Sequence, residues 1–224
     1  RMRIVGQFNN SEVRGQSPVG AGIYYTASPK SSDQTATISG ENLDLSAKGD
    51  IVNSSSTISG GNVNVESKEG SIVNETKTQT IGEGDNQSTK IGRTATIEST
   101  KDLSLKANKD IKVIGADVKA GGNATLDAKE NIVVDTIQDV TKTKKTYETT
   151  TNDSVTETTQ TTLNVKNIGS NIDVGKNLKV NSGKDTTIAG SNVKAGENVD
   201  VNAGGNLNII DRQDVSKSST SQKK

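Results

Sequence analysis

The chain has 224 residues, with 27 Lys and Arg against 27 Asp and Glu, an isoelectric point near 6.6, and no Cys, His or Trp. Dispersed, balanced charge gives no electrostatic footprint for nucleic acid or an anionic membrane, and the missing residue types exclude a disulfide framework, thiol chemistry and His-centred sites. Leu, Ile, Val and Phe make up about 21% of the chain and aromatics 2%, too few for an ordinary globular core but enough for a thin-walled solenoid of repeats.

Residues 1–35 do not fit the repeat that follows. They hold Phe8, Tyr24 and Tyr25, three of the four aromatics, and both prolines, Pro18 and Pro29. They read as a lead-in segment. Nothing at Arg1 resembles a signal peptide and no apolar run approaches ~20 residues, which fits a soluble protein or a piece of a longer one.

From Thr37 one phrase recurs: Asn or Asp, then apolar–x–apolar. It starts twice per copy, 8 residues apart, at Asn42/Asp50, Asp102/Asp110, Asn123/Asn131, Asn177/Asp185 and Asn198/Asn206. A sixth copy begins at Asn62, where KEGSIVN disturbs the second phrase. Five residues after each leading polar residue stands a small one: Ala47, Ser67, Ala107, Ala128, Ser182 and Ala203. Copies step by 20 or 21 residues, as from Thr37 to Thr57 and from Asn177 to Asn198. Period-2 pairs such as Leu43/Leu45, Leu103/Leu105 and Leu178/Val180 bury one face of each short strand. Around Asn123 the three strands fall at Val118, Ala124–Leu126 and Ile132–Val134. Strands this short need stacked neighbours. The expectation is an all-β parallel β-helix (solenoid) of about 20–21 residues per turn. Glycines at the corners, Gly60–Gly61, Gly121–Gly122 and Gly204–Gly205, are expected to supply positive φ.

Stacking places Asn42, Asn62, Asp102, Asn123, Asn177 and Asn198 above one another at ~4.8 Å steps. They then either hydrogen-bond along the axis as a ladder or act as turn residues bonding their own backbone. Both readings are structural.

Two Thr-rich excursions interrupt the turns. The chain divides into a lead-in (1–35), two turns (36–75), a hairpin excursion (76–95), two turns (96–135), a long hairpin (136–168), two turns (169–210) and the start of a further excursion (211–224). The long one alternates and has Asn152–Asp153 at its midpoint, as a projecting β-hairpin does; its low complexity also suits a disordered loop. Its exposed Tyr147, Lys144, Lys145, Asn152 and Asp153 are the candidate contact surface.

No catalytic constellation is present. Without His or Cys there is no triad, no thiolate and no His-based metal site, and Asp/Glu pairs are inevitable when every turn carries acids. No Gly-x-Gly-x-x-Gly or Walker pattern follows a strand. GEGDN at 82–86 reads as a plain turn rather than a cation loop. No catalytic residue, cofactor or metal is expected.

Turns such as GGNATLDAKENIVV and GENVDVNAGGNLNI, with excursions opening DTIQDV and DRQDV, resemble the haemagglutinin repeats of filamentous haemagglutinins. They are equally similar to the stalk of contact-dependent inhibition exoproteins. The resemblance covers about residues 37–216. It implies a right-handed β-helical filament, exported by two-partner secretion through an outer-membrane transporter and displayed on a Gram-negative surface. This stretch would then be a non-catalytic, adhesive stalk segment whose excursions meet a host or neighbouring-cell receptor or glycan. The alternative is a passive spacer in a toxin-delivery protein. The piece itself is expected to be monomeric. A phage-fibre or polysaccharide-cleaving β-helix would want acidic clefts or aromatic platforms, which are missing.

Overall fold

The computed structural model describes the backbone of residues 2–5, 7–16 and 25–224, and side chains from residue 34 onward. Every regular element among them is a β-strand. Three columns of parallel strands form a solenoid. The first column holds the leading halves of Thr37–Ala47 and Thr57–Ser67, then Thr96–Ser99, Asp117–Ala120, Asn171–Val174 and Asn192–Ala195. The second takes the trailing halves of the same long strands, then Leu103–Ala107, Ala124–Ala128, Leu178–Ser182 and Val199–Ala203. The third runs through Met2–Val5, Ile51–Ser54, Ile72–Glu75, Ile111–Ile114, Ile132–Asp135, Thr186–Ala189 and Leu207–Ile210. Met2–Val5 lies in the stretch expected as a lead-in outside the repeat, yet its backbone already belongs to the third column. The lead-in's Tyr24 lies outside the described residues, as do the side chains of Phe8 and Tyr25.

The register turns the period-2 pattern into rows of like residues facing inward. Ile38, Ile58, Ile97, Val118, Ile172 and Val193 stack in the first column. In the second, Leu105 lies on Leu126, with Val65 and Val180 on either side. Leu105 and Leu126 are both fully buried, and each such side chain contributes about 1.5–3 kcal/mol of transfer free energy. The row of Ala47, Ser67, Ala107, Ala128, Ser182 and Ala203 closes the next corner.

The corner glycines work differently from the expectation. Gly60–Gly61, Gly121–Gly122 and Gly204–Gly205 are not among the glycines with positive φ. They are small because successive turns stack backbone on backbone: a Cβ on Gly121 would fall on the Thr100 carbonyl oxygen, and one on Gly204 on that of Gly183. Positive φ occurs at another corner, at Ser55 (45°), Gly115 (54°) and Gly190 (50°), each directly after a third-column strand. There the first residues of the next excursion pass overhead. Ile137 packs where a Gly115 Cβ would stand, Arg212 over Gly190, and Lys77 donates its N–H to Ser55 Oγ at 2.8 Å.

Small residues also mark where the chain enters the first column. Ser56 Oγ accepts the Ala36 N–H, Ser170 Oγ the Ala116 N–H, and Ser191 Oγ the Ser170 N–H, at 3.0–3.1 Å. These hydroxyls replace ladder bonds that the corner cannot make.

Candidate functional surface

The excursions do not project singly. Thr78–Glu83 and Asn86–Ile91 form one hairpin, Ile137–Thr150 and Val155–Ile168 a longer one, and with Val215–Lys223 they join into one five-stranded antiparallel sheet. The long hairpin is at its centre, ordered along 14 cross-strand pairs from Ile137↔Ile168 to Thr150↔Val155. Its tip is a tight turn, with the Thr151 N–H donating to the Ser154 carbonyl at 2.9 Å.

Directly paired residues share a face, so the register sorts the surface. One face carries Thr141, Thr143, Lys145 and Tyr147 against Asn164, Thr162, Gln160 and Thr158. Tyr147 is 47% exposed while its partner Thr158 is buried and accepts a bond from Gln222 Nε2 at 3.4 Å. The other face carries Val140, Lys142 and Lys144 against Val165, Leu163 and Thr161. Lys144 Nζ sits 3.5 Å from Asp85 of the short hairpin. The five candidate contact residues are therefore not one patch: Tyr147 and Lys145 lie on one face, Lys144 on the opposite one, and Asn152–Asp153 at the tip.

Two depressions lie along the outer sheet. One depression of about 700 Å³ includes Lys142, Thr161, Leu163, Lys217 and Ser219 in its lining. A second of about 480 Å³ includes Thr80, Gln87, Thr89 and Val140, and shares Lys142. Both are lined mainly by Thr, Ser, Gln and Lys side chains, with Leu163 in the first and Ile137 and Val140 in the second.

Adjacent excursions are clamped at their bases. Arg212 Nε and Nη2 reach Asp135 Oδ1 and Oδ2 at 3.0 and 2.8 Å. Burial pushes the Asp135 carboxyl up, but the Arg212 hydrogen bonds and charge, with the Thr136 N–H, outweigh it and hold the group below its ordinary value. Asn167 donates its backbone N–H to Asp214 Oδ1 at 2.7 Å, which lowers the Asp214 carboxyl as well.

The six leading Asn and Asp residues form an unbroken axial series. Asn62 Nδ2 donates to Asn42 Oδ1 at 3.2 Å, and Asn62 Oδ1 accepts the Asp102 N–H at 3.4 Å. Asp102 Oδ1 accepts the Asn123 N–H at 2.8 Å, Asn123 Oδ1 accepts from Asn177, and Asn198 Nδ2 donates to Asn177 Oδ1 at 2.9 Å. Every one of these bonds runs to the next turn. A second series passes through Asp110, Asn131, Asp185 and Asn206. Sequence reasoning missed a third, inside the core: Asn53 Nδ2 donates to Asn74 Oδ1 at 2.9 Å, and Asn74 Nδ2 to the Asp117 carbonyl. Its signal was available, since IVN at 51–53 and 72–74 puts Asn where later turns have Val113 and Val134. Among the described residues no cluster of three His, Cys, Asp or Glu is placed to hold a metal.

Comparison with known proteins adds to this geometry. The sequence profile described as Hemagglutinin repeat matches residues 74–169 and 144–224. The chain is 43% identical over 101 residues to the tRNA nuclease CdiA of Escherichia coli O6:K15:H31 (strain 536 / UPEC), which is 42% of this chain and 3% of that protein. It is 46% identical over 83 residues to the 16S rRNA endonuclease CdiA of Enterobacter cloacae subsp. cloacae, covering 35% of this chain and 2% of that protein. A protein named Toxin CdiA from Escherichia coli is 38% identical over 100 residues, covering 43% and 3%. The chain thus spans a few hundredths of the length of these relatives. No solved structure gives a significant match.

Proposed function

Because the chain belongs to the hemagglutinin-repeat family, we propose that it is an adhesive stalk segment of a large secreted exoprotein on a Gram-negative surface, and that it performs no catalysis itself. The observation that carries this reading is the division of labour in the fold. Apolar side chains are spent on the axial stack, while each pair of turns sends its polar residues into the outer sheet. A stack of near-identical steps sets length; the outer sheet presents a surface built from segments outside that repeat. Export of the parent protein would use an outer-membrane two-partner transporter, engaged through another region. The contact partner is a host or neighbouring-cell receptor or glycan.

The relatives' names, nuclease and toxin, favour a second reading in which the segment is a passive spacer that holds a toxic module away from the producing cell. One experiment separates the two. The parent protein, with residues 137–168 replaced by a short Gly/Ser turn, is assayed for binding to target cells. An adhesive segment loses binding; a spacer binds and delivers as before. Binding that survives the replacement therefore overturns the adhesive reading in favour of the spacer.

A further inference from the structure

Excursions leave the solenoid at fixed places. Those after Glu75, Asp135 and Ile210 follow every second third-column strand, while Ser54, Ile114 and Ala189 lead straight into the next turn. Two turns advance the stack by roughly two strand spacings, and a hairpin contributes two strands at that same spacing of ~4.7–4.9 Å. The outer sheet and the solenoid therefore grow in step. Their pairing follows one rule: the returning strand of an excursion pairs antiparallel with the outgoing strand of the next. Asn86–Ile91 pairs with Ile137–Thr150, and Val155–Ile168 with Val215–Lys223.

The register of the two junctions is also alike. Ser88, 8 residues before Thr96, pairs with Thr141, 6 residues after Asp135. Val165, 6 before Asn171, pairs with Val215, 5 after Ile210. The returning strand thus lies one or two residues deeper at each junction.

The same elements occur once more at the start. Met2–Val5 ends a third-column strand, a hairpin of Gln7–Gln16 with Tyr25–Gln34 follows, and the chain enters the first column at Thr37. Among the described residues that hairpin is paired only to itself, and Thr78–Glu83 is the edge of the outer sheet. On that edge strand the Gln79 side-chain oxygen is shielded from solvent without a hydrogen-bond partner. We infer that the edge of Thr78–Glu83 is a docking edge whose occupant is Tyr25–Gln34, the returning strand of the preceding excursion. The rule sets the register: Thr80, five residues after Glu75, stands opposite Ser31 or Lys30. Docking makes a seven-stranded sheet and covers an edge that would otherwise template pairing with other chains. In a longer filament the outer sheet becomes a continuous second lattice beside the solenoid.

The chain has no native cysteine, so paired substitutions report cleanly. In the full chain, Ser31→Cys with Thr80→Cys and Lys30→Cys with Thr80→Cys are oxidised beside a Ser88→Cys/Thr141→Cys control taken from an observed pair. One of the two test pairs is expected to close within the monomer to the same extent as the control. Failure of both while the control closes, or disulfide-linked dimers instead, overturns the assignment. The unsubstituted chain gives an independent reading by amide exchange. Amides of Thr78–Glu83 that point away from Asn86–Ile91 are expected to exchange at least about 100-fold slower than free amides; exchange at the free rate overturns the assignment equally.

Discussion

Arg212 grips Asp135 across 77 residues of chain, its Nε and Nη2 matched to the two carboxylate oxygens at 3.0 and 2.8 Å. The pair joins the bases of two successive excursions, two turns apart on the same corner. Bidentate geometry makes this clamp directional as well as attractive.

Its contribution should depend on pH with a definite sign. The folded Asp135 value is depressed, so the stabilisation is fully present above the unfolded carboxylate value near 3.9 and disappears as pH falls through the lower folded value. Amide exchange in Val215–Lys223 should therefore accelerate below about pH 4. Arg212→Ala should remove Asp135's share of that pH step and leave the share that Asp214 supplies through the Asn167 N–H. An unchanged pH step in the variant would detach the last strand from this clamp.

Leu126 tests the inward register. Leu126→Ala should cost about 2–5 kcal/mol and Leu126→Asp more, since the charge would sit between Leu105 and Val180 without a partner. Near-normal thermal melting of Leu126→Asp would mean that this strand faces the other way.

Gly115 tests the corner. Gly115→Ala should lose about 1–3 kcal/mol from the left-handed conformation alone, and the new methyl would also displace Ile137 at the root of the long hairpin. Melting of Gly115→Ala within a few tenths of a degree of the unsubstituted chain would remove both arguments.

The buried asparagines make a coupled pair. Asn53→Val leaves the buried Asn74 Oδ1 without its donor, a cost of about 1–3 kcal/mol, whereas after Asn74→Val the Asn53 Nδ2 keeps the Ser56 and Thr96 carbonyls. The double substitution copies the Val113–Val134 step and should cost less than the two singles added together. Strict additivity in denaturant unfolding would show that the amide–amide bond carries nothing.

How far the sequence foretold this fold follows from the physics of each part. The stack was legible because its rows are apolar and alternate: Val118, Ala124–Leu126 and Ile132–Val134 stand where the period put them. The role of Gly121 was not, because close backbone approach between turns leaves no mark distinct from a demand for positive φ. The outer sheet escaped for a different reason. Pairing of Gln87 with Lys142 or Ser219 with Thr161 joins polar residues distant in sequence, and no apolar period announces it. Tyr147 and Lys144 looked like neighbours in one contact surface. Their odd separation along a strand sends them to opposite faces.

The outer sheet also changes what removal of the long hairpin should do. Loop closure alone makes its replacement by a short turn nearly neutral, about 0.6 kcal/mol per doubling of length. Because Ile137–Ile168 is the centre of the sheet, the replacement should release Val215–Lys223, and the amides of Asn86–Ile91 that face the long hairpin, to fast exchange, while Leu105 and Leu126 remain protected.

The central claim is that six turns stack at one strand spacing and that the excursions lie outside them. Ser39 and Lys194 are exposed first-column positions connected by five register steps through Ser59, Glu98, Lys119 and Asp173. Spin labels there, measured by dipolar spectroscopy, should lie about 24 Å apart along the axis, five steps of ~4.8 Å. The distance should hold when residues 137–168 are replaced by a short turn. A separation that shrinks by a strand spacing or more on that replacement would place the hairpin inside the stack and contradict the architecture.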